Sequence, residues 1–150
     1  MPTPQVQQQQ LSEAAVRRLV EDWYRALDRH DPVEDVLAHL VGDGLVMHFP
    51  EGTTRGREGF RSWYDAVTHR FFDEAHTVLT VDVGEIRAGA AEVRVLVNWQ
   101  TRTWNPPAAT SSWLGFDARQ SWSVVLEDGT PRIRTYTVDS LSAMPGSAGL

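Results

Sequence analysis

Two residues of this chain are of the types that proton transfer needs. Asp28 ends the run Asp22-Trp23-Tyr24-Arg25-Ala26-Leu27-Asp28, and His76 stands in Glu74-Ala75-His76-Thr77-Val78. A carboxylate that holds an imidazole fixes the ring's tautomer and stabilises its charged form, so such a pair is a general acid–base device. On a helix, Asp28 shares a face with Tyr24, four residues before it. If that face is interior the carboxylate needs a partner. Otherwise Asp28 is a solvated turn residue ahead of Arg29-His30-Asp31. On a strand, His76 alternates on one face with Val78 and Thr80, as a catalytic base or as a packing residue. His48 lies between Met47 and Phe49, on the face opposite to theirs, and is a second acid–base group, a donor to a substrate oxygen, or a rim histidine. His30, His39 and His69 fall in polar helix or turn contexts and read as surface residues. No two histidines stand at metal-ligand spacing with an acid, so neither a metal nor another cofactor is expected.

A second group of residues suits the walls of a pocket. The chain has six tryptophans, an unusual number, and several belong in the core or an interface. Trp23, Trp99 and Trp122 fall at positions where they can form an aromatic wall, with Tyr136 adding a phenol and Trp63 standing in a helical apolar stripe. Such a wall suits a flat ring compound and lowers the dielectric around a dyad. Gln120 shares a strand face with Phe116, Ala118 and Trp122. An amide among such neighbours is either a structural hydrogen bonder or a donor to a substrate carbonyl. Tyr24 is a second candidate donor.

Elements must position these groups. Ser12 caps a predicted helix ending near Asp28, with Val16, Leu19, Val20, Trp23, Tyr24 and Leu27 in the helical period. Asp31-Pro32 starts a short helix that stops at Gly42. Leu45 to Phe49 is a short strand, Pro50-Glu51-Gly52 a turn, and a third helix runs from about Arg57 to Phe72 with Phe60, Trp63, Tyr64, Val67 and Phe71 inward. The period then changes to two, giving strands at His76–Arg87, Ala91–Trp104, Ser112–Leu126 and Arg132–Leu141, the last pair joined at Asp128-Gly129. Helices segregated from an antiparallel sheet make an α+β domain: a cone-shaped curved sheet closed by three N-terminal helices around a single pocket. The domain is expected over residues 11–143, with a disordered leader at 1–10 and a flexible tail at 144–150.

This order resembles the nuclear-transport-factor-2-like superfamily and, within it, the SnoaL-like group, over about residues 11 to 141. Trp23 to Asp28, Asp43-Gly44-Leu45-Val46-Met47-His48 and Gly56-Arg57-Glu58-Gly59-Phe60 carry the resemblance. Bile-acid dehydratases of this fold have an aromatic residue five positions before an aspartate at the first helix end, and a histidine followed by threonine after the third helix. Trp23, Asp28 and His76-Thr77 are similar. Scytalone dehydratase is similar at the same places, its pocket asparagine corresponding to Gln120. Ketosteroid isomerase is less similar: its base corresponds to His48, its oxyanion tyrosine to Trp23 and its protonated acid to Gln120. An acid of limonene-type epoxide hydrolases falls at Val138, and a further acid of the bile-acid enzymes at Trp99, so neither full set is reproduced.

Composition removes other classes. The net charge is -6, lysine is absent and the 14 arginines are scattered, which excludes a nucleic-acid surface. Without cysteine there is no disulfide, thiolate metal site or thiol nucleophile. No apolar block reads as a signal or membrane span, and a cytoplasmic protein is expected. Arg94, Leu96, Asn98, Gln100 and Arg102 form a strand face too polar for a core. The resemblance implies that this outer face pairs in a homodimer. The expectation is a cofactor-free dehydratase, isomerase or cyclase for a hydrophobic, ring-containing hydroxy-carbonyl compound, worked by His76 and Asp28. The alternative is a binding or carrier protein for an apolar small molecule.

Overall fold

A computed structural model describes residues 10–150, so all but the last residue of the expected leader lies outside it. Helix α1 spans Glu13–Asp28, and the Ala15 N–H donates to the Ser12 hydroxyl at 3.1 Å, the cap that the sequence predicts. Its buried stripe contains Val16, Leu19, Val20, Trp23, Tyr24 and Leu27. The chain leaves α1 through His30 in the left-handed region, at φ 49°. Helix α2 is only Val33–Leu37. It stops short of Gly42 because Leu40 and Val41 leave the helix to pair with Ile133.

Strand β1 (Val46–Phe49) turns into β2 (Gly52–Arg55), a hairpin strand that the sequence expectation lacks. Helix α3 (Gly56–Arg70) follows at once, from Gly56 at φ 69°. The long strands are β3 (Phe72–Val83), β4 (Ala90–Thr103), β5 (Ser112–Glu127) and β6 (Thr130–Ala143). Asp128 and Gly129, both at positive φ, make the tight turn between the last two. The six strands form one curved, unclosed sheet in the order β2-β1-β6-β5-β4-β3. Every pairing is antiparallel except β1 with β6, which the return through α3 and the meander makes parallel.

Two irregularities in β3 decide what faces inward. One lies between Phe72 and Ala75, the other between Val78 and Thr80. The second flips the alternation: Val78 packs on the core, then Val81 and Val83 do. Thr80 is therefore exposed rather than on the His76 face, a correction to simple period-two counting. The core lies between the concave sheet face and α1, α2 and α3, with Trp23, Tyr24, Phe60, Met47 and Trp122 almost fully enclosed.

Residues 144–150, expected as a loose tail, lie beside β5. The Met144 N–H donates to the Gly115 carbonyl and the Ala148 N–H to the Trp113 carbonyl, each at 2.9 Å. Gly115 leaves room for this packing: a Cβ there would stand 2.5 Å from the Trp113 ring and 2.7 Å from Met144 Sδ.

Candidate active site

The end of α1 and the start of β3 bring Asp28 and His76 together. His76 Nδ1 lies 2.5 Å from Asp28 Oδ1, and the His76 backbone N–H donates to Asp28 Oδ2 at 2.8 Å. Both carboxylate oxygens are thus engaged by one residue. An ionised carboxylate only accepts, so the ring proton sits on Nδ1 and the Nε2 lone pair is left free. The imidazole is enclosed, with 10% of its side chain exposed, while Asp28 keeps 23%. Tyr24 stacks on one side of the ring (centroids 4.7 Å apart, 28° between planes) and Trp99 on the other (6.2 Å, 14°).

Gln120 is the buried amide at the back of the same cavity. Its Oε1 accepts from the Tyr24 hydroxyl at 2.7 Å and from Trp122 Nε1–H at 3.0 Å. Two donors on the oxygen settle which way the amide points, and its NH2 group is what remains for a ligand. Burial, first, and then the neighbouring Tyr136 push the Tyr24 phenol well above its ordinary value, so it stays a donor. Burial raises Tyr136 in the same way.

The cavity opens between α3, the end of α1 and the concave sheet. Trp63, Trp99, Gln120, Tyr136 and His76 line it, as expected from the sequence. Val97, Ala118, Val138 and Leu141 add apolar surface, and Trp63 stacks on Phe49 (3.8 Å, 6°). Five expected contributors fall elsewhere. Trp23 and Tyr24 on α1, and Trp122 beneath them on β5, have the right face but lie deeper, and they pack with Tyr136 into an aromatic layer beneath the cavity. Phe116 is also inward but belongs to a small separate cluster with Phe71 and Leu114. His48 is exposed and pairs with the Thr53 hydroxyl at 2.8 Å across the β1–β2 hairpin, which makes it a rim residue and removes it from the acid–base set.

Glu74 and His30 are polar lining residues that the sequence expectation lacks. Glu74 lies two positions before His76 on the same strand face, with 8% of its side chain exposed. Burial, with the Asp28 charge as a smaller cause, raises its carboxyl from 4.5 to about 8. His30, expected at the surface, is brought to the cavity by its left-handed turn, with Nε2 3.8 Å from Glu74 Oε1. His39 is also half-buried, edge-on to Trp23, and burial lowers its pKa. Among the described residues, Asp28, Glu74 and His76 bring atoms within 4.8 Å of one another. Asp28 and His76 Nδ1 are committed to each other, and Glu74 stands beside the pair without a hydrogen bond to either.

Comparison with known proteins agrees with this architecture. One solved structure, provisionally described as a scytalone dehydratase from Novosphingobium aromaticivorans, superposes with a TM-score of 0.73 at 17% identity, over 91% of this chain and 87% of that one. A hexachlorocyclohexane dehydrochlorinase, LinA type 2, gives 0.74 at 13% identity, over 91% of each chain. Aln2 from a Streptomyces species gives 0.68 at 16% identity, over 92% of each. At these identities the likeness concerns the fold. No curated protein sequence matches. The profile of the SnoaL-like domain matches residues 20–135, most of the chain and all of α3, β3, β4 and β5 between its ends. The chain belongs to the SnoaL-like family.

Proposed function

We propose that this protein is a cofactor-free acid–base enzyme of dehydratase, isomerase or cyclase type, acting on a hydrophobic, ring-containing hydroxy-carbonyl compound. One observation carries the proposal: Asp28 commits both carboxylate oxygens to His76 and leaves the Nε2 lone pair as a basic atom in a largely apolar cavity. His76 Nε2 removes a proton from the carbon beside the substrate carbonyl. Asp28 holds the ring and balances the positive charge that it gains. The Gln120 NH2 group donates to the oxygen that becomes an enolate, in a site fixed before the reaction starts. Trp63 and Trp99 flank a flat substrate. The names of two similar structures, a dehydratase and a dehydrochlorinase, agree with chemistry of this kind.

The apolar lining is also what a carrier of small molecules needs. Turnover and binding separate the two. For an enzyme, His76→Ala lowers turnover of a hydroxy-carbonyl panel by about 10²- to 10⁴-fold. Its ligand affinity, read from tryptophan fluorescence, falls far less. Full activity in His76→Ala, or equal loss of affinity and turnover, supports the carrier. For assembly, we propose a homodimer through the outer sheet face that holds Arg94, Leu96, Asn98 and Arg102; light scattering after size exclusion measures it directly. No helix among the described residues is long and apolar enough to cross a membrane.

A further inference from the structure

Base and enolate donor leave one enclosed acid of the cavity without a task. Glu74 stands on β3 inside the irregularity between Phe72 and Ala75, directly after Asp73 at φ 52°. Bulges of this kind re-aim side chains next to active sites. Here Glu74 and His76 both line the cavity, and their polar atoms and those of Asp28 lie within 4.8 Å of one another. Among the described residues, no hydrogen-bonded cation neutralises Glu74. His30, the nearest basic side chain, is 3.8 Å away and beyond hydrogen-bond reach. The other titratable groups around it are Asp28 from α1, Tyr64 from α3 and His76 on its own strand. Asp28 repels a second negative charge, and the Tyr64 hydroxyl is turned to the Asp31 carbonyl at 2.5 Å.

We propose that Glu74 is the acid that protonates the departing hydroxyl of a β-hydroxy carbonyl substrate, so that this site eliminates water; the assignment rests on His76 acting as the base. His76 Nε2 takes the proton α to the carbonyl, and the C–H electron pair becomes the α,β double bond. The β C–O bond breaks with its pair on oxygen, where the Glu74 proton arrives. The products are an enone and water, with His76 protonated and Glu74 ionised. The imidazolium then returns its proton to the carboxylate across the short gap between them, and the site is reset. A carboxyl that titrates near 8 keeps its proton and is neutral at pH 7, as this role requires.

The test uses two ring ketones that share one α-proton and differ in the leaving group. 3-Hydroxy-1-tetralone expels hydroxide unless an acid assists, and its product aromatises to 1-naphthol. The 3-(4-nitrophenoxy) analogue expels a stable phenolate without help. Glu74→Gln is expected to lose roughly 10²-fold or more on the hydroxy compound and at least tenfold less than that on the nitrophenoxy compound. His76→Ala is expected to lose on both alike. Equal losses of Glu74→Gln on the two compounds overturn the Glu74 assignment and leave the base intact. An unchanged His76→Ala, or wild type that turns over neither compound, overturns the base and with it the acid that depends on it. Carbon-13 NMR of glutamate-labelled protein, wild type against Glu74→Gln, follows the carboxyl directly; ionisation complete by pH 6 also overturns the assignment.

Discussion

Replacing Glu74 by glutamine removes a titration while keeping the shape of the side chain, and stability as a function of pH should show it. The carboxyl titrates near 4.5 in the unfolded chain and at about 8 in the folded one. Between these values the folded state holds a proton that the unfolded state has released, so wild-type stability falls as pH rises. The contribution is complete below 4.5 and is lost on passing through about 8. At 1.36 kcal/mol per pH unit the whole difference amounts to about 5 kcal/mol, of which about 3 kcal/mol is already lost at pH 7. The amide of Glu74→Gln has no such dependence. Urea unfolding of both proteins at intervals from pH 4.5 to 9, extrapolated to water, gives the two curves. Groups common to both proteins cancel in the difference. The variant should gain on the wild type steadily from pH 5 to 8 and stop gaining near pH 9. A difference that stays flat to within about 1 kcal/mol over that range refutes the reasoning, because then no buried neutral carboxyl exists at this position.

Other substitutions probe the neighbouring contacts. Asp28→Asn replaces one accepting oxygen by a donor that faces His76, so it should cost about 1–3 kcal/mol in urea unfolding as well as turnover. Combined with His76→Ala, its kinetic loss should be strongly non-additive, since both residues serve one proton transfer. Tyr24→Phe takes away one of the two donors that orient Gln120, with an expected cost of about 1 kcal/mol and weaker binding of ketones than of hydrocarbons of the same shape. Gly115→Ala places a methyl against the Trp113 ring and Met144. It should destabilise by about 1–3 kcal/mol, measured as a lowered urea midpoint at unchanged slope.

The sequence showed most where one periodicity runs uninterrupted. The stripe from Val16 to Leu27 placed Asp28 at a helix end, and the family resemblance then placed His76 opposite it; their contact follows from these two positions. Period-two counting found the inward face of β5, yet it gives a face and not a depth. Trp122 and Gln120 share that face, and only the overlying α1 decides that one is core and the other cavity wall. Strand β2 was not legible because Gly52-Thr53-Thr54-Arg55 has no apolar alternation and exists through pairing with β1. Glu74 has the parity of His76, but Asp73-Glu74 reads as a polar approach to a strand, whereas β3 already begins at Phe72. His30 was hidden for a related reason: a left-handed residue reverses direction, and the modest enrichment of histidine there does not announce the turn.

The parallel stacking of Trp99 on the His76 ring has an optical consequence. An imidazolium quenches the emission of an indole that it touches, while a neutral imidazole does so weakly. Trp99 is therefore a natural fluorophore whose brightness follows the protonation of the base, with no label and no substrate required. The other indoles add a constant background where they sit far from the ring, and Trp99→Phe removes the signal outright. A stopped-flow fluorimeter thus has a built-in view of the proton as it arrives on and leaves the dyad.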